Sequence, residues 1–347
     1  MSGGAEEDDD DRRETLLFAG IDEAGLGPIL GPLTMGFSVF RAPRSASNLW
    51  KTLAPAVTRN PERDRQAFVV ADSKEVFTRT ERSAQRLETT ALGFLALLDP
   101  KRNPLSSAHE LLWSTPRALA PDPAAVAEIP WYGPQAALPR HVDRGRLELR
   151  IERLARRLRQ VGAALVDAGL SAVPASLLNR SFERTANKAE THWETSSRIL
   201  RHLWTAHAAG GLRLTVDRHG GRYHYGALLA RALPEASVEL VRESPARAEY
   251  RVVERCSGQL EPAARRRMRV AFAEKAENRS FAVALASCVA KYARETAMDQ
   301  FNAYFGALQP GLRPTAGYRN DGWRWLDEAR PALARARIER RALVRER

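Results

Sequence analysis

The stretch from Leu16 to Phe40 restricts the fold more than any other part of this chain. An apolar run, Leu16 to Ile21, ends on two adjacent carboxylates, Asp22 and Glu23. A glycine- and proline-rich turn follows, and a second apolar run extends from Leu33 to Phe40. Apolar runs of this length, bounded by glycine and proline, predict two buried strands. Two like charges at the end of a buried strand repel, and they are costly to desolvate unless a cation sits between them. Oxygen ligands suit Mg²⁺ or Mn²⁺, and no Cys/His cluster of the kind zinc prefers is visible in the sequence. The glycines of Ala24-Gly25-Leu26-Gly27-Pro28 would leave backbone amides open to a phosphate. An isolated Asp-Glu pair before a Gly-Pro turn is more often a solvated loop, so the reading depends on what else the chain supplies.

Further along, Phe68 to Ala71 is strand-like and leads to Asp72-Ser73-Lys74, and Thr80 to Leu98 has helical periodicity. Residues 99–145 are rich in proline and lack regular periodicity, as in a loop-rich insertion. A basic amphipathic helix is expected from Arg146 to Ala168, then strand and turn over Ser171 to Leu178. Lys188 to Ala208 predicts a long helix, and Leu212 to Val216 a short strand closing on Asp217. Three strands (Ser237 to Val241, Glu249 to Cys256, Met268 to Ala273) precede an alanine-rich helix over Phe281 to Phe305. Carboxylates at strand ends, alternating with helices, predict an α/β fold with a mixed sheet flanked by helices. The expected organisation is a disordered acidic tail over 1–14, one domain over 15–325 carrying the insertion, and a basic helical tail over 326–347.

With 347 residues, 44% hydrophobic and 28% charged, the chain can bury a sizeable core. Its net charge of +12 attracts polyanions and favours a nucleic-acid partner, although arginine far outnumbers lysine and part of the excess reads equally as solvated surface. No apolar run of about 18 residues or more is present, and Met1 to Arg13 is acidic and polar with no apolar stretch of the kind a secretory signal has, so a cytoplasmic protein with no membrane association is expected. Cys256 and Cys288 are no disulfide framework. Nothing in the sequence points to a protein partner. Arg150, Arg153, Arg156, Arg157 and Arg159 form either a phosphate-tracking arm or a solvated helix face. His219 and His224, just after Asp217, could assist proton transfer or metal binding, but loop histidines are more often merely exposed, and both are left outside the site. Trp193 and Trp204 read as core, and Trp323 and Trp325 as a base-stacking pair or packing near Tyr318.

Asp217, followed by Gly220-Gly221, and Glu295, within the long helix, are carboxylates that could converge with Asp22 and Glu23. Each also has a plainer reading, Asp217 as the start of a turn and Glu295 as a helix charge paired with Arg294 or Lys291. The segment Gly20-Ile21-Asp22-Glu23-Ala24-Gly25-Leu26-Gly27-Pro28-Ile29-Leu30-Gly31-Pro32 resembles the opening signature of ribonuclease HII and its ribonuclease HIII relatives. Asp72-Ser73-Lys74, Val216-Asp217, the helix Ala284 to Glu295, and Ala316-Gly317-Tyr318-Arg319-Asn320-Asp321 resemble later blocks of that family, in the same order. The resemblance implies a ribonuclease H-like fold and Mg²⁺- or Mn²⁺-dependent endonucleolytic cleavage of RNA in RNA–DNA hybrids. It implies a catalytic and metal-binding set of Asp22, Glu23, Asp217 and Glu295. Gly25, Leu26, Gly27, Lys74 and Tyr318 would lie against substrate. The chain departs from the family at Leu26, where arginine or threonine is usual, and at Glu295, where aspartate is usual. The alternative is a catalytically weak or inactive nucleic-acid-binding protein on the same fold.

Overall fold

A computed structural model describes residues 14–98, 106–114, 119, 123–133, 136–255 and 265–346. The acidic run Glu6 to Asp11, Cys256 and much of the proline-rich segment lie outside the described residues.

The sheet grows from the two strands around the acidic pair. β1 (Thr15–Ala24) and β2 (Leu33–Pro43) pair antiparallel from Thr15↔Pro43 to Ala24↔Thr34. β5 (Ala164–Val173) adds antiparallel to β2. On the other side, β6 (Leu212–Asp217) lies parallel to β1, and β9 (Arg267–Ala273) lies parallel to β6. β8 (Arg247–Glu254) and β7 (Ala236–Ser244) complete an order of β5-β2-β1-β6-β9-β8-β7. A separate short parallel pair joins β3 (Val57–Thr58) to β4 (Phe68–Val69). Because β1, β6 and β9 share a direction, the chain leaves all three at the same edge of the sheet. The architecture is therefore the mixed, helix-flanked α/β sheet that was expected.

Alternation along β1 divides the two faces. Ala19 and Ile21 join a core with Phe37, Val39 and the inner side of α4 (Lys188–His207), including Trp193 and Trp204. The opposite face meets α6 (Phe281–Leu308), whose alanine-rich first half can approach the sheet closely. A Cβ built on Gly20 would lie 2.2 Å from the backbone nitrogen of Val283, and one on Gly36 would lie 2.2 Å from the carbonyl oxygen of Ala286. Small residues on both surfaces thus let backbone touch backbone. Alanine also favours the helix intrinsically, and Ser280 caps it by accepting from Val283 N–H. α1 (Glu81–Ala96) and α2 (Arg144–Gln160) lie outside α6.

Two expectations need correction. The helix expected to run to Ala168 stops at Gln160; Gly162, at φ +67°, turns the chain, and β5 occupies the remainder. Strand pairing with β2 overrides a helical periodicity that continues past the break. The turn expected up to Leu178 is instead the start of α3 (Ala175–Thr185), which follows Pro174. α2 is also less solvated than a basic arm would be. Arg150 donates to the carbonyl of Asp64 at 3.0 Å, and Arg157 donates to that of Thr52 at 2.9 Å.

The proline-rich segment carries short helical turns at Glu110–Ser114, Pro123–Ala127 and Pro130–Tyr132. Trp131 packs against Phe301 and Phe305 of α6. The segment returns through Glu88, a fully buried carboxylate that accepts from the N–H groups of Arg140, His141 and Val142 and from Tyr292 Oη–H. The C-terminal part is helical, with α7 (Arg319–Glu328), α8 (Arg330–Ala336) and α9 (Arg340–Leu343). Among the described residues no helix is long and apolar enough to cross a membrane.

Candidate active site

The register of β1 against β6 pairs Ile21 with Val216, which sets Asp22 beside Asp217 at the common edge. Asp22 is 8% exposed and accepts from the N–H of Glu23 at 2.7 Å. Asp217 accepts from the N–H of Ala276 at 2.9 Å, fixing it to the loop after β9. Strand register alone therefore makes neighbours of three of the four carboxylates expected in the site, although their ligand oxygens do not all lie within 4.8 Å of one another.

Their electrostatics show the strain of that meeting. Burial, then the charges of Glu23 and Asp217, hold the Asp22 carboxyl well above the usual range. Burial and Asp217 push Glu23 up to about 7. Burial also raises Asp217. Lys74 opposes these shifts, lowering Glu23 and Asp217. Its position follows from a single helical turn, Ser73–Val76, capped by Asp72, which accepts from Lys74 N–H at 2.9 Å. Ser73 accepts from Ser287 Oγ–H at 3.0 Å, and Ser287 in turn lowers the Asp22 carboxyl, so α6 is tied into the site.

The sequence reading missed Glu277. It is 8% exposed, is raised by burial and by Asp217, and raises Glu23 in return. The available signal was an acid four residues beyond the last residue of a strand parallel to β6, but parallel pairing is invisible before the sheet is assembled.

His219 also departs from expectation, since it is buried and not an exposed loop residue. Its ring lies 4.1 Å, centroid to centroid, from that of His192 on α4. Among the described residues His192 Nε2 has no hydrogen-bond partner, and it lies 3.8 Å from Glu23 Oε2. Burial, with the neighbouring cations Lys188 and Arg222, lowers His192 to about 4, so the ring faces Glu23 uncharged near neutral pH. His224 is the exposed one of the two histidines that follow Asp217, paired to Glu243 at 3.1 Å.

The glycine-rich turn is held by arginines. Gly25 has φ +89°, and a Cβ there would lie 2.7 Å from Arg294 Cδ. Arg294, fully buried, donates to the carbonyls of Pro32 at 2.6 Å, Leu30 at 3.2 Å and Ala316 at 3.0 Å. Arg345 donates to the carbonyls of Gly31 and Gly25. The glycine here is required by a buried guanidinium, a different reason from the phosphate approach expected. Gly27 is exposed, whereas Leu26 packs on the apolar group Leu33, Val173 and Leu178. Tyr318 is 44% exposed, with the Arg79 guanidinium 5.5 Å from its ring centre. Trp325 is core, and Trp323 lies under Arg340.

Glu295 is paired within its own helix. It accepts from Lys291 Nζ at 2.5 Å, and its charge raises Asp299 farther along the helix. Eight residues separate it from Ser287, which is about 12 Å along the helix axis, and Lys291 occupies the intervening turn. Among the described residues, the one group of three ligand-bearing side chains whose ligand atoms all lie within 4.8 Å of one another is Asp167, His202 and His207, outside this site. Its aspartate and two histidines come from separate elements, so the group is not visible in the sequence.

No protein-family model matches the chain, and no curated protein matches it. Among solved structures it is similar to the PCNA:RNase HII complex from Archaeoglobus fulgidus, with 17% identity over 96% of this chain and 95% of that one, at a TM-score of 0.40. It is similar to ribonuclease H2 from Pyrococcus horikoshii OT3 (16% identity, 94% and 92% coverage, TM-score 0.42). It is also similar to Bst-RNase HIII in complex with Mn²⁺ (14% identity, 93% and 71% coverage, TM-score 0.40). At that distance, the functional reading rests on the site itself.

Proposed function

We propose that this chain is a divergent ribonuclease HII-like endonuclease that hydrolyses RNA in RNA–DNA hybrids with Mg²⁺ or Mn²⁺. The observation that supports this reading best is that Asp22, Glu23 and Asp217 are neighbours at the ends of two parallel strands, with burial raising all three and repulsion adding to the rise of Asp22 and Glu23. An oxygen-only donor set whose protonation reflects uncompensated charge fits a hard divalent cation. Asp22, Glu23 and Asp217 would hold it. The chemistry that such a cation supplies when bound is activation of water and neutralisation of charge on the departing oxygen.

The chain's own groups have separable roles. Lys74, already facing the carboxylates, offsets their charge and can meet a phosphate oxygen. Glu277 braces Asp217. Tyr318, exposed and flanked by Arg79, offers a ring to a sugar or base. Beyond the cover of α6, a groove over β6, β9 and β8 is lined by Arg213, Arg247, Arg269 and Arg279 around a single acid, Glu249, which pairs with Arg247 and Arg269; the net positive lining suits a phosphate backbone.

The test is cleavage of a continuous hybrid, a duplex with one embedded ribonucleotide, and plain RNA and DNA, each with Mg²⁺ and with Mn²⁺. Cleavage confined to ribonucleotide-containing duplexes is the expected result, and cleavage of DNA alone or of nothing would reject it. The pairing of Glu295 with Lys291 favours a second reading: nucleic-acid binding without turnover. Salt-sensitive duplex binding with no cleavage in either metal would establish that alternative.

A further inference from the structure

At the sheet edge opposite β7, a second cluster has no part in the proposed nuclease chemistry. Asp167 lies on the edge strand β5, while His202 and His207 lie on the last turns of α4. His202 Nε2 is 2.8 Å and His207 Nε2 is 2.9 Å from the same oxygen, Asp167 Oδ2. The side chains are 14% (Asp167), 30% (His202) and 17% (His207) exposed, so the group is largely enclosed yet open to solvent on one side. Ten residues, about 15 Å of helix, separate His202 from His192 beside Glu23, which sets this cluster apart from the carboxylate site.

We propose that Asp167, His202 and His207 form a zinc site that clamps edge strand β5 to the C-terminal end of α4. Two imidazole nitrogens and one carboxylate oxygen match zinc, which takes three protein ligands and a water readily, and they disfavour Mg²⁺ and Ca²⁺. The fit is close in distance. Ligands about 2.0–2.1 Å from zinc at tetrahedral angles sit about 3.3 Å apart. The present separations of 2.8 and 2.9 Å therefore need an outward shift of roughly half an ångström. The two histidines must release the Nε2 protons now shared with the carboxylate. The His202 ring is pinned edge-on to buried Phe37, with centroids 5.3 Å apart, which fixes the direction of one ligand. The open side supplies room for the fourth ligand, water. A clamp at this point would anchor α4 just before the chain enters β6, the strand that ends at Asp217.

The experiment uses the full chain stripped with chelator and titrated with Zn²⁺ and, separately, with Co²⁺ as a spectroscopic probe. Asp22→Asn is included to silence the carboxylate site. In both the parent and Asp22→Asn, one equivalent of zinc should bind and raise the melting temperature. Co²⁺ should give the visible absorption of a low-coordinate, imidazole-ligated ion. His207→Gln and Asp167→Asn should each weaken zinc binding by roughly a hundredfold or more and abolish the thermal shift, with near-native circular dichroism showing that the variants fold. No thermal response to equimolar zinc in the parent, or an unchanged Co²⁺ spectrum in His207→Gln, would overturn the proposal. Because the readouts are binding and stability, failure here and failure of the nuclease reading are distinguishable.

Discussion

Two acid-containing clusters on this sheet behave in opposite ways. At the ends of β1 and β6, carboxylates meet carboxylates, and burial and repulsion push them upward, Glu23 to about 7. At the β5 edge, Asp167 meets two imidazoles, and despite its burial their hydrogen bonds pull it down to about 2. One cluster is internally unsatisfied, and the other already has partners for its charge. The difference teaches that carboxylate burial alone says little about function: what faces the carboxylate decides whether the site needs an outside cation or can exchange an existing partner for one. Glu88 marks a third case, in which a wholly buried carboxylate is satisfied by four protein donors and serves only structure.

The contrast can be broken most severely at Asp22. Asp22→Asn is expected to lower kcat on a hybrid by roughly a thousandfold or more. The same change should raise the stability of the metal-free protein, because it removes a repelled charge. Single-turnover cleavage and thermal melts in chelator check the two halves together. Loss of activity with loss of stability would mean a structural carboxylate, of the Glu88 kind.

Glu88→Ala supplies that reference. It strands a buried tyrosine hydroxyl and three part-buried backbone N–H groups, so a loss of about 3 kcal/mol is expected in urea unfolding.

The pH dependence of metal-free stability should separate the clusters by sign. Glu23 has a folded value above its unfolded one, so its contribution is present at low pH and is lost as pH rises from about 4.5 through about 7. Asp167 has a folded value below its unfolded one, so its contribution, roughly 2 kcal/mol, is present above the unfolded value and is lost as pH falls towards about 2. Glu23→Gln should flatten the first limb and Asp167→Asn the second. A Glu23→Gln profile matching the parent's would remove the electrostatic case for a cation at the strand ends.

The smallest expected effect is at Glu295. Since Lys291 already satisfies the Glu295 carboxylate within its own helix, Glu295→Asp should change Mg²⁺-supported turnover by about threefold or less. A tenfold or greater change in either direction would place its carboxylate in the reacting cluster after all.

Much of this molecule was legible in the order of its residues. The strands around Asp22-Glu23, the strand ending at Asp217, the long helix α4 and the alanine-rich α6 follow from apolar runs, turn residues and periodicity, all of which are local properties. Glycine and proline mark Asp22, Glu23 and Asp217 as carboxylates at strand ends, but it was the resemblance to ribonuclease HII that joined them into one candidate site. The break at Gly162 was missed because an apolar, small-residue run satisfies helix and edge strand alike until β2 is there to pair with it. Glu277 and His192 were missed because what makes them notable, the parallel pairing of β6 with β9 and the packing of α4 beside Glu23, joins residues far apart in sequence. Gly25 was placed in the correct turn for a different reason, since only the folded chain brings Arg294 beneath it. The histidines at 202 and 207 show the same division. Their spacing on one helix is readable, but the carboxylate that unites them comes from a strand 35 residues before the first of them. A sequence states which side chains each element presents. Which of them meet is decided by the register and direction of strands, because those set the few-ångström distances on which charge and ligation depend.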